Sequence, residues 1–299
     1  MDEKYILKEI KKKLAEKRPN KNYDIRTVIK NNSHKEYAVI EPSHDKLSPM
    51  VYFTDLYARI SDGVMEIDEA VDRILSRCHK VVEMITPEFD ISILNNKDAI
   101  LKNVYLRVVN GTKLNEEYLR SVVHVKPIEG LAAVFVISVS KDESAGVVLT
   151  NRMIEGLDLD VSELYQTALK NTMDRKPYMV KTLPSIINYV NGNNEVLENE
   201  KDIMYVLTNT ELHFGATVIL YKDVLRKVCE ENGFKNKIAL IGSSVHEWII
   251  VTDPSPEILN NIRKINQEVN MTLEPKEILS DQILIYDINS DSLRIAKAA

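Results

Sequence analysis

The residues best placed to do chemistry lie in one short stretch, Ile241-Gly-Ser-Ser-Val-His-Glu-Trp-Ile-Ile-Val251, where polar groups interrupt an apolar run. Read as a strand, alternation sets Ser244, His246, Trp248 and Ile250 on one face, and Val245, Glu247, Ile249 and Val251 on the other. Either choice of core face buries an ionisable group, which is costly unless that group is paired or hydrogen-bonded. A working site here would use His246 as general acid or base, with Ser244 or Glu247 assisting. Asp281, in Ser280-Asp281 at the entrance of the following strand pair, is a plausible partner and the fourth candidate. A self-satisfied polar cluster that fixes strand register explains the same residues. The spacing contains no recognisable set of nucleophile, base and orienting group, so the structural reading is preferred. His34, His44, His79, His124 and His213 are scattered and read as surface or core polar residues.

Several mechanisms are set aside by what is missing. The nine glycines never occur as Gly-x-Gly, so neither a dinucleotide fingerprint nor a phosphate-binding loop is present. His246-Glu247 begins like a zinc-protease motif, but Ile250 stands where the second histidine must be. Gly242-Ser243-Ser244-Val245 lacks the second glycine of a nucleophile elbow. Two cysteines, Cys78 and Cys229, cannot form a Cys-rich zinc site and suit a reducing cytosol. No cofactor and no metal is therefore expected.

The elements that position these groups alternate between helix and hairpin. An amphipathic helix runs from about Glu3 to Arg18, with Ile6, Leu7, Ile10 and Leu14 on one face. A hairpin follows, turning at Asn31-Asn32-Ser33, and Ser48-Pro49 reads as the start of a helix that stops at Gly63. Another helix spans about Ile67 to Val82, and Thr86-Pro87 marks a break. Val104, Leu106 and Val108 alternate as a strand, and the apolar run Leu131 to Val139 suits one covered on both faces, with Val147 to Thr150 as its partner. Asp160 and Glu163 form a capping-box pattern ahead of the stripe Val161, Leu164, Tyr165, Ala168 and Leu169. Asn188 to Asn199 reads as a polar loop.

Val-Leu-Thr-Asn recurs at 148–151 and 206–209, a feature equally consistent with a worn duplication and with coincidence. Later helices carry the stripes Val224, Leu225, Val228, Cys229 and Ile258, Leu259, Ile262, Ile265, Val269. The first ends at Gly233 and the second starts at Ser255-Pro256. A hairpin from Gln282 to Ile295 ends the pattern. Hairpin-paired strands with helices between them predict an α+β fold, set out as an N-terminal subdomain over residues 1–95 and a C-terminal domain over residues 96–299.

In order along the chain, Lys30-Asn31-Asn32, Ser48-Pro49 with Tyr52, Gly130 to Phe135 and Glu163 to Thr172 carry a resemblance. Asn209, Gly215-Ala216, Ser243 to Glu247, Asn270 and Leu279-Ser280-Asp281 carry it further. The chain resembles the bacterial family catalogued as domain of unknown function 5688. Its C-terminal half is also distantly similar to the uncharacterised family containing the YtpQ proteins. The resemblance implies a cytosolic bacterial protein, often encoded near mobile elements, and supplies no reaction.

Function classes follow from charge as well. The formal charge of −6 speaks against generic nucleic-acid affinity, although residues 1–30 hold ten Lys or Arg against five Asp or Glu. The start of the chain lacks the apolar core of a secretory signal, and no apolar run reaches the ~20 residues of a membrane span. A cytoplasmic, non-catalytic binding or regulatory protein, with another protein as its partner, is the leading expectation. A hydrolase-like enzyme centred on Ser244, His246 and Glu247 is the alternative, followed by a nucleic-acid-associated factor using the basic first helix.

Overall fold

The computed structural model describes residues 2–41, 50–84, 91–140, 145–190 and 204–296. They form two compact units, Met1–Lys30 with His34–Ile91, and Asn31–Ser33 with Ser92–Ala299.

The first unit runs α1 (Glu3–Lys17), β1 (Asp24–Lys30), β2 (His34–Ile40), β3 (Met50–Tyr52), α2 (Thr54–Ser61) and α3 (Ile67–Met84). The three strands pair antiparallel in that order. Ile6, Ile10 and Leu14 recur at helical spacing on α1 and are fully buried, joined by Phe53, Leu56, Ile60 and Ile74. The basic face of α1 is matched by acids: Lys13 meets Asp68 at 2.7 Å, Lys17 meets Asp72 at 2.6 Å, and Lys11 reaches Asp24 at 3.4 Å. Ser48-Pro49 lies outside the described residues, and the helix expected from it starts only at Thr54. Met50 to Tyr52 pair with β2 first, and the Thr54 hydroxyl accepts from the Tyr37 N–H at 2.9 Å. Thr86-Pro87 also lies outside the described residues.

The second unit contains α4 (Lys97–Asn103), β4 (Val104–Asn110), α5 (Glu116–Ser121), β5 (His124–Val125), β6 (Leu131–Ser138), β7 (Gly146–Val148), α6 (Asn151–Ile154) and α7 (Val161–Arg175). It continues through β8 (Tyr178–Thr182), α8 (Leu183–Val190), β9 (Met204–Asn209), α9 (Val224–Asn232), β10 (Lys237–Ile241), β11 (Trp248–Thr252), α10 (Pro256–Asn270), β12 (Ile283–Asp287) and β13 (Ser292–Ile295). One sheet has β6 between β4 on one side and β5 with β7 on the other. Every residue of β6 is buried, as its unbroken apolar run requires. The other sheet has the order β13-β12-β10-β11-β9-β8. Both are antiparallel throughout, with helices between and upon them, so the fold is α+β.

Helix ends follow local rules. The Asp160 carboxylate caps α7 by accepting from the Ser162 and Glu163 N–H groups, and the Ser255 hydroxyl caps α10 by accepting from Ile258. Gly233 closes α9 in the left-handed region, φ +70°. Of the Val-Leu-Thr-Asn copies, the first leaves β7 with Thr150 capping α6, whereas the second completes β9 and enters a turn. The polar loop expected from Asn188 falls outside the described residues from residue 191 onward.

Two expectations are corrected. Ser243 to Glu247 are not in a strand: β10 ends at Ile241 and β11 begins at Trp248. The intervening backbone is recruited by residues 277–280 instead. Val245 N–H donates to Glu277 O, Leu279 N–H to Ser243 O and Ser280 N–H to Gly242 O, at 2.9–3.0 Å. The two-face alternation of Ser244, His246 and Glu247 therefore does not hold. The apolar stripe of α10 is only in part its buried face. Leu259 and Ile262 are half-buried against Ala239, Ile241, Val251, Ile283 and Ile285, whereas Ile265 is 57% exposed and Ile258 and Val269 are exposed too. Asn266 and Asn270 are buried there, because both donate to Ser280 O. Leu164, Leu225 and Val228 are buried as expected, and Leu169 is half-buried.

Candidate anion-binding site

The first member of the site is Arg107, the one residue of β4 that is not fully buried. Two residues apart on one strand, Tyr105 and Arg107 share a face. Arg107 Nη2 donates to the Tyr105 hydroxyl at 2.8 Å, and the guanidinium lies 3.9 Å from the centre of the Phe214 ring. Its Nε is buried and has no acceptor. Among the described residues no carboxylate pairs with it. Lys176, directly after α7 and 9% exposed, pairs with the Glu211 carboxylate and sits 5.2 Å from the Tyr105 ring. One cation is thus neutralised and the other is not.

The turn after β9 supplies the next members, and Asn209 builds it. Its buried side chain accepts from the Glu211 and His213 N–H groups at 3.1 and 3.3 Å and donates to His213 O at 2.9 Å. Leu212 and Phe214 take φ of +56° and +50°, values that side chains other than glycine adopt reluctantly. Gly215 follows because nothing larger fits: a Cβ there would collide with the Thr208 hydroxyl, lie 2.5 Å from His246 O and 2.7 Å from Asn209 N. Thr208 donates to that same His246 carbonyl at 2.8 Å.

His246 completes the cluster. Its Nδ1 accepts from the Phe214 N–H at 3.2 Å, so in the neutral ring the proton resides on Nε2, a donor. The His213 and His246 rings are 5.3 Å apart, and both lie within 5.5 Å of the Phe214 ring. Burial pushes the His213 pKa below its ordinary value, with further lowering by His246, Arg107 and Lys176; Glu211 opposes it. Four segments thus bring together an unpaired guanidinium, an imidazole donor and a histidine in a net positive field. That set can hold an oxyanion.

The candidates read from the sequence do not converge. Ser244 is buried, and its Oγ accepts from the His246 backbone N–H at 2.9 Å. Among the described residues no hydrogen bond joins that hydroxyl to an imidazole. Glu247 lines a cavity of about 430 Å³ with Leu183, Ile186 and Ile249. Asp281, exposed, accepts from Asn270 Nδ2 at 2.5 Å and lines a different cavity of about 390 Å³ beside Asn110 and Thr112. Only His246 belongs to the anion cluster. Arg107 and Lys176 were not singled out, His213 was read as a surface or core polar residue, and Asn209 entered only through the family resemblance. An arginine inside the apolar run Val104 to Val109 was the available signal.

Among the described residues no group of three or more His, Cys, Asp or Glu could hold a metal, and no helix is long and apolar enough to cross a membrane. Both cysteines are free and buried.

A model of the family of unknown function DUF5688 matches residues 3–288. The chain belongs to this family. No curated protein and no solved structure matches the chain. The distant likeness to the YtpQ proteins is not included in the match. Several residues that carried the DUF5688 resemblance bind backbone. Asn31 Nδ2 donates to Lys276 O and Ile278 O at 3.0 and 2.9 Å, while its Oδ1 accepts from Asn115 at 2.9 Å. Asn32 holds Pro275 O and Ile278 O at 2.7 Å. Together with Asn209 and Asn270, these amides tie loops that lack strand partners, which is work that P-loop or triad motifs never advertise.

Proposed function

We propose that this chain is a non-catalytic binding protein whose second unit captures a small oxyanion, a carboxylate or phosphate group, at Arg107, His213 and His246. The observation that carries the reading is Arg107. A guanidinium offers five N–H donors, and here one is used, by Tyr105, while the buried Nε meets no acceptor. A half-buried arginine with a buried Nε–H unmet and no carboxylate beside it among the described residues is costly unless something else supplies the acceptor. His246 Nε2–H and the nearby His213 add donors around the same Phe214 ring, with ring centres 5.4 and 4.4 Å from it. Binding rather than hydrolysis is favoured because the Ser244 hydroxyl serves its own turn.

An anion seated there raises the His213 pKa, since a negative neighbour favours the imidazolium. Titration of the His213 imidazole by NMR, with and without inorganic phosphate or acetate, tests this. An upward shift is expected, and an unchanged titration at saturating anion would contradict the proposal. We also infer a cytoplasmic setting, supported by two buried thiols that remain unpaired.

A further inference from the structure

Behind the His246–Glu247 peptide lies a cavity of about 430 Å³, within the ~300–1,000 Å³ typical of small-molecule sites. Leu183 and Ile186 of α8 form one wall. Val206 and Ile249, paired across β9 and β11, form another, and Leu212 contributes from the turn. Trp248 points into the core, while Glu247, just before β11, and Ile249 both line this space.

The polar groups decide the ligand's chemistry. The Thr208 hydroxyl on the wall is already committed to His246 O. Glu247 is half-buried, and among the described residues no cation pairs with it and no donor bonds it. Lys181 stands on the same face across β9, opposite Val206. One uncompensated carboxylate in an aliphatic wall calls for a cation that brings its own apolar body.

We propose that this cavity is a second ligand site, taking a small amphipathic molecule whose ammonium group meets Glu247 and whose aliphatic part lies against Leu183, Ile186, Val206 and Ile249. It is separate from the anion cluster and does not depend on that reading.

The probe is n-hexylammonium, titrated calorimetrically into the full chain, with hexanol and hexanoate as controls at equal ionic strength. Saturable one-to-one binding of hexylammonium is expected, at least tenfold tighter than hexanol and tighter still than hexanoate. Glu247→Gln should weaken it at least tenfold, and Ile249→Phe, which fills the cavity and keeps the carboxylate, should also weaken it. Arg107→Gln should leave it unchanged. The proposal is overturned if no hexylammonium binding is seen. It is equally overturned if hexanoate binds as well, or if neither cavity variant alters the affinity.

Discussion

Replacing Asn209 with alanine removes three hydrogen bonds at once and leaves the turn without its buried scaffold side chain. The two accepted bonds, at 3.1 and 3.3 Å, are longer than the donated one at 2.9 Å, so they count toward the weaker end. At about 0.5–1.5 kcal/mol net per bond, the expected loss is about 2–4 kcal/mol. Trp248 is the only tryptophan and is fully buried in the core of the second unit, so its fluorescence reports that unit's unfolding. With a urea slope of about 2 kcal/mol/M, the midpoint should fall by about 1–2 M and the slope should stay constant. Asn209→Asp keeps both acceptor positions and loses only the donation to His213 O, so it should fall between the two. A midpoint for Asn209→Ala within about 0.2 M of the parent would refute the claim that this side chain builds the turn.

Two other outcomes follow from titrating groups. His213 has a folded-state pKa below its unfolded value, so the unfolded chain binds more protons in the window between the two, and stability falls as pH drops from about 6.5 toward the folded value. His213→Gln should therefore lose less stability than the parent between pH 7.5 and pH 5.5, and an identical loss would show that the imidazole is unperturbed. Burial pushes the Cys78 and Cys229 thiols up to about 11 and about 12, so neither should react with a disulfide reagent at pH 8 until urea unfolds the chain. Fast labelling of the native protein would contradict their burial.

Periodicity located the helices because burial of a stripe is a local consequence of 3.6-residue spacing. Ile6, Ile10 and Leu14, or Val224, Leu225, Val228 and Cys229, needed nothing beyond one apolar surface to pack against. Caps were equally legible at Asp160, Ser255 and Gly233, since each answers the backbone of its own helix. Ile265 shows the limit. Its stripe is hydrophobic, yet α10 turns Asn266 and Asn270 inward because Ser280 O, ten or more residues away, needs donors.

The site was mostly illegible for the same reason. His246 was noticed, but as a member of a strand that residues 277–280 dismantle by taking its backbone hydrogen bonds. Its companions come from β4, the end of α7 and the turn after β9, at separations that no spacing rule covers. Arg107 alone left a trace, a charge interrupting an apolar strand. What it would meet depended on a turn held by Asn209 and on the close approach that Gly215 permits.

Whether Arg107 waits for an oxyanion is tested most directly by calorimetric titration of inorganic phosphate into the parent and Arg107→Gln at low ionic strength. Saturable one-site binding by the parent is predicted, weakening as salt rises. Loss of the guanidinium removes charge-assisted bonds of about 1.5–3 kcal/mol, so the variant should bind about tenfold to a hundredfold more weakly, with the Trp248 unfolding midpoint preserved or raised. Equal affinity in parent and variant, or no binding of phosphate or acetate by the parent, would contradict it.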